Sequence, residues 1–278
     1  MNARHIMATV SASVLVLGLA ACGSDSEGGD GGGGGEDGGA VKVGIKFDQP
    51  GLGLKDGDTY TGFDVDVANY VADELGYDSV EFIQAPSPQR ETLLQSGQVD
   101  MVVATYSITD ERAEKVSFAG PYFVAGQDLL VASDAKITGV KDLEGKKLCS
   151  VKGSTSADNV KKEVPGVQLQ TFDTYSKCLD LVANGQLDAL TTDNTILAGY
   201  AAQPAYKGKL KVVGNTFSEE RYGIGIEKGD TAMCEDINKA LTKMVDDGDW
   251  QKAVDDNFGP ADFTVDEEVN PPEHDECA

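Results

Sequence analysis

The sequence predicts an α/β protein of two similar lobes that face each other across a cleft. The first observation is alternation. From residue 41 onward, short apolar runs alternate with amphipathic runs of helical period, separated by glycines. The second is an internal echo: SGQVDMVVAT at residues 96–105 and NGQLDALTTD at residues 184–193 both run Gly-Gln-apolar-Asp before an apolar stretch, 88 residues apart. The third is length, since residues 40–278 suit two linked lobes of about 100 residues each.

Each element has a local cause. VKVGIKF (41–47) alternates and predicts a strand. GFDVDVANYVADELG (62–76) spaces Phe63, Val67, Val71 and Leu75 four apart and ends at Gly76, the pattern of an amphipathic helix with a glycine C-cap. VEFIQA (80–85) is a strand, PQRETLLQSG (88–97) a helix closed by glycine, and VDMVVAT (99–105) a buried strand. The second half repeats the pattern. KKLCSVKG is a strand, STSADNVKKEV a helix with Ser154 or Thr155 as N-cap, VQLQTF a strand and TYSKCLDLVANG a helix. LDALTT, NTILAGYAA, KLKVVG and YGIGIEKG follow as strand, helix, strand and strand, and MCEDINKALTKMVDDG and DWQKAVDDNFG are closing helices.

Each copy of the echo therefore reads as a helix C-cap, a tight turn and a central strand, one per lobe. A common helix-to-strand turn would account for either copy alone. Ligands of open α/β sheets bind outside the carboxyl ends of the strands. Ala104, Thr105, Tyr106 and Ser107 from one lobe, and Thr192 and Asp193 from the other, are thus expected to line the cleft.

Residues 1–21 read as a leader. Arg4 precedes a short apolar run from Met7 to Ala20, and Leu19-Ala20-Ala21-Cys22 has the form of a lipobox, with Cys22 as the lipidated thiol. Residues 23–39 are all Gly, Ser, Asp and Glu, and with Cys22 they predict a flexible tether over residues 22–39 reaching roughly 20–25 Å. The folded part is then expected just outside a membrane, anchored through Cys22. There are 23 basic and 47 acidic residues, a net charge of −24. That balance argues against nucleic acid or anionic lipid as partners, since both select cationic surfaces. Four cysteines remain beyond Cys22, and three pairings are possible. We favour Cys149–Cys178 and Cys234–Cys277; the second would pin the acidic tail. No CxxC occurs and there are only two histidines, so neither a metal nor another cofactor is expected.

Arg112, just past the first strand end, has the chemistry to grip a carboxylate with two parallel bonds. A surface arginine at a helix start is the plain alternative. Asp193 can accept from an ammonium; its plain alternative is an N-cap for the following helix. VKGSTSADN (151–159) offers Thr155 and Ser156 at a helix N-terminus, with Lys152 beside them. Lys46 ends the first strand and Arg90 opens a helix. With Lys46, Arg90 and Arg112 against Asp193 alone, the cleft would carry two excess positive charges. That matches a dicarboxylic amino acid, whereas a neutral one leaves cations desolvated without a partner.

GFDVDVANYVADEL (62–75), SITDERAEKVSFAGPYF (107–123), VKGSTSADN and LDALTTDNTILAGY together resemble the family 3 extracellular solute-binding proteins of amino-acid ABC importers, over nearly all of residues 41–260. Within that family the likeness is greatest to the glutamate-binding lipoproteins. The resemblance implies a two-lobed, type II periplasmic-binding-protein-like fold that closes on its ligand by hinge bending. It implies one lobe of residues 40–131 and 224–278 and another of residues 132–223, with crossings near Leu130–Ser133 and Tyr222–Ile226. It places Arg112 on the α-carboxylate with Ser107, Thr105, Thr155 and Ser156. Asp193 takes the α-ammonium with backbone at Ala104 or Thr105, and Lys46 and Arg90 lie at the side-chain carboxylate. Ser107 stands where threonine is commoner in the family and Thr192 where several members have histidine. Gln49 and Ser87 replace the aromatic pair of glutamine binders.

Three functions follow for comparison: a monomeric, lipid-anchored receptor for glutamate or aspartate that serves an ABC permease, a glutamine or asparagine receptor of the same fold, and a dehydratase of cyclic acids. The last needs a general acid or base in the cleft, and Asp193 beside cations is a weak base.

Overall fold

The computed structural model describes residues 39–277. The proposed leader, Cys22 and nearly all of the tether lie outside them. The described residues form one compact unit containing two five-stranded sheets and a small three-stranded one.

In the first sheet Ala40–Ile45 runs parallel to Ser79–Gln84 on one side and to Met101–Val102 on the other. Glu220–Ile226 and then Ser117–Ala125 extend it antiparallel. In the second, Lys147–Val151 runs parallel to Gln168–Phe172 and to Ala189–Asp193, and Gln127–Ala132 and Leu210–Val212 extend it antiparallel. The two halves thus share one plan, three parallel strands followed by two antiparallel ones. The four-residue spacing of the 62–76 segment gives the helix Phe63–Glu74, whose Phe63, Val67 and Val71 are fully buried.

The echo is the device that builds each sheet. Gly97 and Gly185 both adopt left-handed backbone, with φ of 65° and 69°, and close a helix by donating to Leu94 and Val182 respectively. Three residues on, Asp100 donates its N–H to the Lys42 carbonyl and accepts the Lys42 N–H on Oδ2, both at 2.8 Å. Asp188 does the same with Lys147, again at 2.8 Å for both bonds. A side chain and a backbone amide on one aspartate clasp both backbone polar groups of one residue in the neighbouring strand, Lys42 in the first sheet and Lys147 in the second. That clasp fixes register, and register decides which side chains arrive at the strand ends.

Two expectations on chain path are corrected. The first crossing between sheets is at Gly126, not near Leu130–Ser133, because Gln127–Ala132 already pairs with Ala189–Asp193. The return falls in residues 213–219, not at Tyr222–Ile226, because Glu220–Ile226 pairs with Ser117–Ala125. Both strands flanking Gly126 are apolar and buried, so composition did not say which sheet each joins. Three short strands, Asp48–Gln49, Gly53–Asp56 and Thr59–Thr61, were also unexpected.

Both disulfides form as favoured, Cys149–Cys178 and Cys234–Cys277. The second ties the tail back along Ser117–Ala125, the edge strand of the first sheet. The Asn270 side chain accepts from Val124 N–H and donates to Val124 C=O, both at 2.9 Å, and Asp275 N–H donates to Gly120 at 2.7 Å. The tail therefore occupies an edge that would otherwise expose unpaired backbone. Replacing Cys234 and Cys277 together by serine opens a span of 43 residues. We expect a loss of about 3 kcal/mol in urea unfolding; an unchanged midpoint would mean that the tail adds nothing to stability.

Candidate functional site

The strand ends of the two sheets converge on a small cavity, lined by Gln49, Ser87, Arg90, Thr105 and Arg112 from the first half and by Ser154, Thr155, Ser156, Tyr175, Asp193 and Ile196 from the second. Most of the expected residues meet here. Arg112 and Asp193 both line it, as do Arg90, Thr105, Thr155 and Ser156.

Arg112 is 8% exposed, so it is not a surface arginine. Its Nη1 donates to the Ser107 carbonyl at 2.7 Å, its Nη2 reaches across to the Gly153 carbonyl at 3.2 Å, and Nε stands 3.8 Å from Glu91. Arg90 is buried deeper, with its Cζ over the Tyr106 ring, 4.1 Å from the ring centre. Its Nη1 donates to the Ala104 and Thr105 carbonyls, and its buried Nε has no partner. Burial, then repulsion from Arg112, brings the Arg90 pKa down to about 10. Lys46 is buried beside the cavity and donates to Ser87 Oγ at 2.8 Å. Desolvation, then the charge of Arg90, holds its ammonium well below the usual lysine range. Among the described residues neither Lys46 nor Arg90 has a carboxylate within ion-pair distance, by contrast with Arg112.

Asp193 occupies the N-cap position of the helix Asn194–Ala201, yet its side chain makes no capping bond. It accepts instead from Tyr222 Oη at 2.6 Å, across the cleft, and from Ser156 Oγ at 3.3 Å. Burial, then the nearby Glu220, pushes its pKa up to about 7. Ser154, not Thr155, is the N-cap of Thr155–Glu163, accepting from Ala157 N–H. Thr155 Oγ1 donates to Glu220 at 2.8 Å and stands 3.4 Å from Ser107 Oγ.

Thr105 has φ of +45°, a conformation that costs a threonine about 1–2 kcal/mol. Asp64 holds it there: this fully buried carboxylate accepts the Thr105 N–H at 3.0 Å and the Tyr122 hydroxyl at 2.6 Å, and burial raises its pKa to about 6. The Thr105 N–H and the Ala104 carbonyl are thus both engaged within the protein.

Of the other expected residues, Lys46, Ala104 and Ser107 are buried but outside the cavity lining, and Lys152 is left out altogether. Its side chain is exposed and does not line the cavity, because it sits on the turn that precedes the capped helix. The charge balance also changes. Sequence reasoning missed Asp64 and Glu220, both buried, so the cations do not outnumber the carboxylates as expected. No motif marks Glu220; Asp64 lies within the 62–76 helical segment, where the periodicity singles out only the apolar positions. Both are held by neutral donors, Glu220 by Thr155, Asn159 and Ser218, and neither lies within ion-pair distance of a cation. No group of three or more His, Cys, Asp or Glu among the described residues could hold a metal.

Two α/β halves with facing strand ends, and a small polar cavity between them lined by an arginine and a carboxylate, define a two-lobed binding protein. The family comparison agrees. Residues 41–260 match the model of the bacterial extracellular solute-binding proteins, family 3, and the chain belongs to that family. It is 49% identical to the glutamate-binding protein GluB of Corynebacterium efficiens, over 92% of this chain and 91% of that one. It is 36% identical to the ABC transporter glutamine-binding protein GlnH of Bacillus subtilis, over 88% and 93%. Among solved structures, an ancestral arginine-binding protein bound to glutamine aligns with a TM-score of 0.73 at 39% identity, covering 79% of this chain and 98% of that one.

The raised carboxyls fix the sign of a pH effect. Folded Asp193 and Asp64 keep protons that the unfolded chain has lost above the ordinary aspartate value of 3.8, so stability falls as pH rises from about 4 to about 7 and then levels. Asp193→Asn should flatten the upper part of that decline in urea unfolding. An identical slope would mean that Asp193 ionises freely in the fold.

Proposed function

We propose that this protein is the lipid-anchored receptor of an amino-acid ABC importer, held outside the membrane through Cys22 and the glycine-rich tether, and that it closes by hinge bending on glutamate, with aspartate as a second ligand. It works as a monomer. Arg112 takes the α-carboxylate, with the hydroxyls of Thr105, Ser107, Thr155 and Ser156 around it, and Asp193 takes the α-ammonium. Lys46 and Arg90 take the side-chain carboxylate. Thr155 must turn from Glu220 to do so. Hinge bending falls to Gly126 and residues 213–219, the crossings between sheets.

One observation carries the choice of ligand. Lys46 and Arg90 are buried cations with no carboxylate in reach, and Arg90 Nε lacks any partner. A side-chain carboxylate supplies what the protein withholds, and a charge-assisted pair in so dry a place is strong. The 49% identity to a glutamate-binding protein supports the same reading. The competing reading is a glutamine receptor. Gln49 and Ser87 give the cavity neutral hydrogen-bonding groups, Lys46 is biased toward its neutral form, and the 36% identical relative is named for glutamine.

Calorimetric titration of glutamate, aspartate, glutamine and asparagine into the refolded domain decides between them; glutamate is expected to bind at least tenfold tighter than glutamine. In Lys46→Met with Arg90→Met, glutamate affinity should fall about 100-fold or more while glutamine changes far less. Unchanged glutamate binding would remove both cations from the site. Because an ammonium favours ionised Asp193, glutamate binding near pH 6 should release protons, and affinity should fall as pH drops below about 7. Titration at pH 6 in buffers of different ionisation enthalpy measures that release.

A further inference from the structure

Beyond the cavity, the two halves meet along a seam that involves no expected ligand contact. The Asn194–Ala201 helix starts at the cavity and runs along it. At Gly199 the first half comes so close that a Cβ would stand 2.1 Å from the Pro50 carbonyl oxygen. The obstacle is backbone, so no rotamer relieves it. Glycine is a poor helix former, and here the helix gives up propensity for approach.

The next residue, Tyr200, donates its hydroxyl to the Asp48 carbonyl at 2.6 Å and lies 3.2 Å from Asp48 Oδ2. Ser176 adds its hydroxyl and its N–H to the same Oδ2, at 3.1 Å and 3.4 Å. Every donor belongs to the second half and every acceptor to the first. Asp48, Pro50, Ser176, Gly199 and Tyr200 all lie outside the lining of the cavity. These contacts form only when the halves are together, and an amino acid is not a party to any of them.

We propose that this seam is a latch on closure: it draws the halves together without ligand and sets the lifetime of the closed form for every ligand alike. The proposal rests on the receptor reading above. A ligand in the cleft and the latch stabilise the same closed form, so a weaker latch lowers affinity through faster release and leaves ligand preference alone. Gly199 is the steric condition for closure, and Tyr200 and Ser176 are positioning residues that act through Asp48.

Two variants test it. Gly199→Ala leaves each half free to fold, since alanine favours the helix, but it places a methyl where Pro50 must come. Its radius of gyration by small-angle X-ray scattering should exceed that of the native protein without ligand and stay larger with saturating glutamate, with affinity at least tenfold weaker. Tyr200→Phe removes a single hydroxyl. It should speed the dissociation of glutamate and glutamine by the same factor, about five-fold. Coincident scattering curves for Gly199→Ala and the native protein would overturn the latch, as would an unchanged dissociation rate in Tyr200→Phe. A change for only one ligand would also overturn it, by making Tyr200 a specificity contact. If the native protein bound no amino acid, the receptor reading would fail, and the ligand-free scattering pair would still decide the latch.

Discussion

Charge buried without water is the constraint on which the rest of this structure depends. Lys46, Arg90 and Arg112 share one dry seam with Asp64, Asp193 and Glu220, and each ion taken out of water costs several kcal/mol unless something answers it. The protein answers the carboxylates with neutral donors: Tyr122 and the Thr105 amide for Asp64, Tyr222 and Ser156 for Asp193, Thr155, Asn159 and Ser218 for Glu220. It answers the cations with carbonyls and an aromatic face. Opposite charges are largely kept apart, which leaves their pairing capacity for a guest.

Several features follow from that separation. Thr105 is held in left-handed backbone because its amide must reach Asp64 while its carbonyl meets Arg90. Asp193 forgoes capping its own helix because its carboxylate is turned across the cleft to Tyr222. The two sheets share one plan, yet their strand ends diverge in chemistry. The first half supplies the cations along with Ser87 and Thr105, and the second supplies Ser154, Thr155 and Ser156 with Asp193. A zwitterion spans such a boundary better than either half alone could hold it.

Positioning of this kind requires strand ends that do not slip. The paired bonds of Asp100 to Lys42 and of Asp188 to Lys147 lock both central strands at their starts. A slip by one residue would turn Asp193 from the cleft to the opposite face. At the far edge of the first sheet the disulfide-tethered tail covers Ser117–Ala125. The edge strand next to the Gly126 crossing is thus restrained from outside while the crossing itself stays short.

The sequence by itself determined the elements, their alternation, the two-fold plan and most of the cleft. Periodicity reports which face of each segment is buried, and the Gly-Gln-apolar-Asp echo is a local motif whose bonds are made within its own turn and to the adjacent strand. Arg112, Asp193, Arg90, Thr105 and Ser156 were legible because each lies directly after a strand or at a helix start. Tertiary structure alone decided what depends on partners far along the chain. Lys152 points outward, Asp64 and Glu220 enter the charge balance, and Gln127–Ala132 joins the second sheet rather than the first. Composition records how apolar a strand is, not which neighbour it pairs with, and a carboxylate on a helix looks the same whether water or a buried tyrosine answers it. The tightness of the seam at Gly199 belongs to the same class, since only the approach of Pro50 gives that glycine a reason.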